Sequence, residues 1–155
     1  MRFARLLASG FGVGYAPFAP GTVASLAALV VGVAMLLVSP ILLGIASLVV
    51  SIGGIWVVRR ARVDGDPGWV VIDEFAGQWI ALLGIGSVAP VELLAAFLLF
   101  RALDIWKPGP VGWADRRHGA IGLMLDDVIA GLIAAVVLYF LRPVWPRMVW
   151  SAVPW

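Results

Sequence analysis

The chain has 155 residues, of which 63% are hydrophobic and 13% charged, with a mean hydropathy of +1.05. An ordinary soluble domain carries about 25% charged and about 45–50% apolar residues. These values exclude a disordered chain and argue against a soluble globular one, because a fold of this size cannot hide so much apolar surface. The net charge of +2 arises from cations scattered between apolar stretches, not from a basic face, so no nucleic-acid partner is expected. The absence of cysteine removes disulfides and thiolate chemistry, and the single histidine, His118, removes any multi-histidine zinc site.

In chain order, residues 1–21 (MRFARLLASGFGVGYAPFAPG) are interrupted by Gly and Pro and read as an interfacial lead-in, not as a cleavable signal peptide. Gly10, Gly12 and Gly14 form a GxGxG pattern, but no strand precedes them, so a dinucleotide fold is rejected. Ala19-Pro20-Gly21-Thr22 follows, with Thr22 as the predicted N-cap and a helix start whose N–H groups can hold an anion. Five apolar stretches come next, at 22–38, 41–58, 70–85, 91–105 and 128–141. A spanning helix needs about 20 residues; the first two qualify, and the others do so only if their charged ends count. Ser39-Pro40 and Val88-Ala89-Pro90 predict tight connections, since proline suits a helix start. The expected fold is an all-α polytopic membrane bundle of about five apolar helices. It forms one domain over 1–155, with the lead-in at 1–21, the helical core at 22–141 and a tail at 142–155.

Orientation follows from Lys and Arg in short loops. With the N-terminus cytoplasmic, Arg2, Arg5, Arg59, Arg60, Arg62, Lys107, Arg116 and Arg117 all lie on the cytoplasmic side, and only Arg142 and Arg147 lie outside. The same topology gathers eight of the nine acids, Asp64, Asp66, Asp73, Glu74, Asp104, Asp115, Asp126 and Asp127, at that face. Glu92 alone falls at the opposite end.

Several of these groups can carry chemistry. Asp73-Glu74 opens the third stretch and Asp126-Asp127 is expected to precede the fifth. Each pair has a bland explanation in helix-dipole compensation or capping, but one acid per helix would suffice for that. Ionisable groups at membrane depth are expensive and line polar cavities. Four converging carboxylates repel unless cations or protons intervene, and hard oxygen ligands suit Mg²⁺. Arg101 and Asp104, three residues apart, share a helix face, and Lys107 follows one turn on, before Pro108 stops the helix. They read either as a structural ion pair with a snorkelling lysine or as a site in which Arg101 and Lys107 neutralise phosphate. Trp113, Arg116 and Arg117 suit an interfacial anchor, and His118 beside them is a candidate general acid.

The segments GVGYAPFAPGTVASLAA (12–28), IDEFAGQWIAL (72–82) and FRALDIWKPGPVGWADRRHGAIGLMLDDVIAG (100–131) together resemble the phosphatidylglycerophosphatase A family. The third block is the most specific, through FR-x2-D-I-x-KP-x-P and G-x-M-x-DD-x2-AG. Ala24 and Ala120 stand where glycine is usual. The resemblance implies a Mg²⁺-dependent phosphatase of the bacterial cytoplasmic membrane. It would remove the terminal phosphate of phosphatidylglycerophosphate, a phospholipid substrate, on the cytoplasmic side. Carried onto this sequence, Asp73, Glu74, Asp126 and Asp127 would hold the metal; Arg101, Lys107 and Thr22 would bind phosphate; and Asp104, Asp127 and His118 would serve catalysis. Two other readings of the acids compete. A CDP-alcohol phosphatidyltransferase lacks support because Ala61-Arg62-Val63-Asp64-Gly65 does not continue in that class's order. An ion or proton transporter would place its carboxylates near mid-membrane, and a structural subunit would need none of them.

Overall fold

The structure is a computed structural model that describes residues 2–62 and 67–144, and these residues contain helices and no strand. Chain order gives α1 (Arg2–Ala8), a 3-10 turn (Val13–Tyr15), α2 (Pro20–Val38), α3 (Pro40–Ala61), α4 (Ile72–Leu82), α5 (Pro90–Trp106), α6 (Pro110–Asp115) and α7 (Gly119–Leu141). Asp64, Asp66 and Arg147 lie outside the described residues.

The all-helical expectation stands, but the count of about five apolar spans is corrected. Among the described residues three helices, α2, α3 and α7, are long and apolar enough to cross a membrane. Helix α4 has 11 residues, or about 16 Å at 1.5 Å per residue, against a hydrocarbon thickness of about 30 Å. Its hydrophobicity has another cause: every residue from Ala76 to Leu82 is buried, because α4 is packed among α2, α3, α5 and α7. Large exposed apolar side chains lie on those surrounding helices instead, as with Val30, Ile45, Ile52, Leu98 and Val136. Helix α5 has 17 residues and carries Glu92 near its start and Arg101 and Asp104 near its end.

Two predicted connections are found where expected. Ser39 separates α2 from α3, its hydroxyl accepts from Ile41 N–H at 3.1 Å, and Pro40 takes the first helical position. Pro90 begins α5 in the same way. The N-cap expected at Thr22 is not one. Ala19 holds that position in left-handed geometry, and Thr22 sits inside the first turn of α2, because Pro20 is already in helical geometry at N1.

The most extensive helix–helix contact is between α4 and α7. A Cβ at Gly131 would lie 2.4 Å from the Gly77 carbonyl oxygen, and one at Gly77 would lie 2.7 Å from the Asp127 carbonyl oxygen. Small residues permit such backbone approach, as in membrane helix pairs generally. Elsewhere Trp79 Nε1 donates to the Ala28 carbonyl at 2.8 Å, fastening α4 to α2.

Beyond the C-terminus of α4 the chain is held by charge. Arg142 donates to the carbonyls of Leu83, Gly84 and Ile85. Glu92 accepts from the N–H groups of Gly86 and Ser87 and from the Ser87 hydroxyl at 2.6 Å. The isolated acid of the opposite end is therefore a turn-binding residue. Gly131→Ala should overpack the α4–α7 contact and destabilise the bundle by about 1–3 kcal/mol, seen as a lower unfolding temperature in detergent; an unchanged temperature would contradict this packing.

Candidate active site

Helices α4 and α7 both start at the same end of the bundle, and the first turn of α4 lies beside the third turn of α7. Asp73 stands one turn before Gly77 and Asp127 one turn before Gly131. Residues four apart share a helix face, so the glycine contact places both carboxylates on the same side of the crossing. Asp73, Glu74 and Asp127 each offer a carboxylate oxygen within 4.8 Å of the others, and Asp104, Asp126 and Asp127 do the same. Asp126 and Asp127 are not ahead of the last apolar helix, as the sequence suggested. They lie two turns inside it, since α7 begins at Gly119 with His118 at the N-cap position. Capping therefore does not account for them.

The carboxylates line a cavity of about 580 Å³ at this end. Helix α5 brings Arg101 and Asp104 to it from its last turns. Arg101 Nη1 donates to Asp104 Oδ2 and lies 3.8 Å from Glu74 Oε1, which realises the predicted i,i+3 pair. Guanidinium has five N–H donors, and Arg101 Nε is buried without a partner. Lys107 caps α5 in left-handed geometry at φ 48°. Its ammonium binds Asp115 and reaches Asp126 Oδ2 at 2.7 Å, leaving one of three donors unused. Burial disfavours the ammonium, but the hydrogen bonds it donates to Asp115 and Asp126 outweigh this and hold its pKa above the ordinary lysine value.

The cavity also takes in His118, which is exposed at its rim, and Pro20 and Gly21 from the start of α2. Thr22 is not among the lining residues. Gly21 has a specific duty: a Cβ there would lie 2.2 Å from Glu74 Oε1 and 3.3 Å from Arg101 Nη2. The backbone of α2 thus forms a wall directly against the ion pair. Of the ten residues singled out from the sequence or its family likeness, Asp73, Glu74, Arg101, Asp104, Lys107, His118, Asp126 and Asp127 all line this one cavity. Pro108 stands beside Lys107 at the end of α5.

Sequence reasoning missed Asp115 as the second partner of Lys107; it counted only as one of the acids gathered at this face. Its eight-residue separation from Lys107 crosses the short helix α6 and gives no periodic signal. Gln78 was also missed. It is fully buried, and neither its side-chain oxygen nor its nitrogen has a partner. It sits one turn from Glu74, and the polar residue inside an apolar run was the available signal.

Fold and cavity define a helical membrane protein with a carboxylate-lined, cation-bearing site at one end of its bundle. The sequence pattern of the family described as phosphatidylglycerophosphatase A matches residues 6–142. The chain is 42% identical over 148 residues to phosphatidylglycerophosphatase A of Escherichia coli (strain K12), covering 91% of this chain and 84% of that one. It is 37% identical over 146 residues to phosphatidylglycerophosphatase A of Haemophilus influenzae, covering 88% and 87%. It is also 37% identical over 146 residues to a Bacteroides thetaiotaomicron protein named provisionally as a phosphatidylinositol-3-phosphatase, covering 88% and 92%. No solved structure matches the chain. The chain belongs to the phosphatidylglycerophosphatase A family.

Two outcomes follow from the geometry. Gly21→Ala should push Glu74 off its position and lower turnover by about 10²-fold, the scale of a 1 Å misplacement, with little change in unfolding temperature. Wild-type turnover would show that α2 does not confine Glu74. The Lys107 link behaves as a raised-pKa group: its stabilisation is complete below the unfolded lysine pKa of about 10.4 and fades only as pH climbs through the higher folded value. The stability difference between wild type and Lys107→Ala should therefore stay constant from pH 6 to pH 9, and a difference that shrinks within that window would contradict the assignment.

Proposed function

We propose that the protein hydrolyses the terminal phosphate of phosphatidylglycerophosphate, yielding phosphatidylglycerol and inorganic phosphate. The observation that carries this reading is the meeting of six carboxylates, five of them grouped by their oxygens, with Arg101 and Lys107 in one cavity at the end of a membrane bundle. Family membership supplies the substrate class. The acyl chains stay in lipid while the headgroup phosphate enters among the helix ends.

The donor set fits a divalent cation. It consists entirely of carboxylate oxygens, and Glu74 Oε2 and Asp127 Oδ2 are buried with no hydrogen-bond partner, a condition that costs about 1–3 kcal/mol or more for each such group. Asp73, Glu74, Asp126 and Asp127 would hold Mg²⁺, which prefers oxygen ligands and commonly shares its shell with substrate phosphate. When bound, such an ion supplies Lewis-acid polarisation of a phosphoryl oxygen and lowers the pKa of water.

The remaining work belongs to the chain. Arg101, through the donors Asp104 leaves free, and Lys107, through its third N–H, bind phosphate oxygens and offset charge developing in transfer. Asp104 orients Arg101 and, with Asp127, presents carboxylate oxygens to the reacting water. His118, at the open rim, delivers a proton to the glycerol oxygen as the P–O bond breaks, so that water's hydroxyl ends on phosphorus. Thr22, expected to bind phosphate, does not line the cavity, and Gly21 beside it does.

The distribution of cations supports a cytoplasmic position for this end of the bundle. Arg2 and Arg5 of α1, Arg59 and Arg60 at the end of α3, and Arg116 and Arg117 after α6 all stand at the end that carries the cavity, the positive-inside pattern. Uncatalysed phosphomonoester hydrolysis is among the slowest reactions known, so the cavity must lower the barrier by more than about 20 kcal/mol.

Purified protein given phosphatidylglycerophosphate should release phosphate with Mg²⁺ and stop with EDTA. Folded protein that releases none in either condition would sink the proposal. Asp73→Asn and Asp127→Asn should each lower turnover by about 10²-fold or more while the protein stays helical and monodisperse in detergent.

A further inference from the structure

We infer that the cavity holds two divalent cations side by side, with Asp127 bridging them. The inference rests on the divalent-cation reading above and concerns the number and arrangement of the ions. The carboxylates do not form one five-membered ring around a single point. They form two groups of three, Asp73–Glu74–Asp127 and Asp104–Asp126–Asp127, each with its oxygens within 4.8 Å of one another. The groups share one residue. Asp127 is 3% exposed, and its Oδ2 has no hydrogen-bond partner. A buried carboxylate oxygen without a donor, at the point where two oxygen triads meet, has the position of a bridging ligand. Paired ions in phosphoryl-transfer sites stand about 3.5–4 Å apart, a span that one carboxylate bridges with its two oxygens.

The charge balance points the same way. Asp73, Glu74, Asp104, Asp126 and Asp127 bring five negative charges, and Arg101 and Lys107 bring two positive ones. At the rim Asp115 and Arg117 cancel. The cavity is thus three charges negative before any ion enters. One divalent cation leaves it negative by one, still repelling a phosphomonoester that carries close to two negative charges near neutral pH. Two divalent cations make it positive by one and attractive to that anion. The organic cations border both triads: Arg101 stands between them, against Glu74 of one and Asp104 of the other, while Lys107 stands against Asp126. Lys107 therefore fixes the ligand Asp126 from outside the shell, and Gly21 leaves room for Glu74 in the other triad.

The test counts ions without substrate. Wild-type protein in detergent, stripped with EDTA and titrated with Mn²⁺, should bind two ions per chain, and its electron paramagnetic resonance spectrum should show exchange coupling between them. Asp73→Asn should reduce the count towards one and abolish the coupling. Asp127→Asn should weaken both ions by about 10–100-fold. One ion per chain at saturation, two without coupling, or none would overturn the inference, and the wild-type count decides even if a variant fails to fold. Phosphate release is measured separately. Activity with one bound ion overturns the paired site and leaves the phosphatase reading intact. Two coupled ions without hydrolysis support the paired site and remove the phosphatase reading.

Discussion

The close approach of α4 and α7 at Gly77 and Gly131 is the constraint on which the site depends. Apolar attraction alone does not hold two helices together in lipid; close packing of small residues does. Here that packing also has chemical content. Both helices start from the same end, and each carries its acid one turn before its glycine. Bringing the backbones together therefore forces Asp73 and Asp127 together, against their mutual repulsion. The rest of the cavity is arranged around this pair. The ends of α5 supply Arg101, Asp104 and Lys107, and the start of α2 closes the wall beside Glu74.

Much of this was legible in the sequence because it was written in short-range chemistry. Ser39-Pro40 and Pro90 marked helix starts through proline geometry. Arg101 and Asp104 were a pair because three residues bring them to one face. The clustering of acids at one end followed from counting charges against apolar stretches. What was not legible depended on long-range packing. A run such as 70–85 is apolar whether lipid or protein surrounds it, and only the neighbours of α4 show that protein does. Hence the number of long spans was overestimated. Asp126 and Asp127 resembled caps because hydropathy rises after them, yet the helix begins at Gly119, where Gly and Ala make an unmarked start. Thr22 lost its capping position to Ala19 for the related reason that Pro20 had already set the helix in motion.

The two small departures from the family pattern are also explained by place. Ala24 lies inside α2 and Ala120 inside α7, where the backbone is helical and no left-handed angle is required. Alanine is the better helix residue at such positions. Ala24 is fully buried and Ala120 packs against the cluster containing Met124 and Val70. The glycines that matter for the cavity are those at which another backbone or a carboxylate would meet a Cβ.

Arg142 and Glu92 give the opposite end a meaning of its own. They occupy the loose carbonyls and N–H groups after α4, and between them and the carboxylates lie fully buried apolar side chains such as Phe100, Leu82 and Leu138. A hydrated, highly charged chamber inside a membrane protein is a hazard to the barrier it sits in, since water and ions that can enter can also cross. This bundle keeps its charged groups at its two ends and is packed with apolar side chains between them. It can receive a lipid phosphate at its carboxylate-lined end while the membrane remains electrically tight.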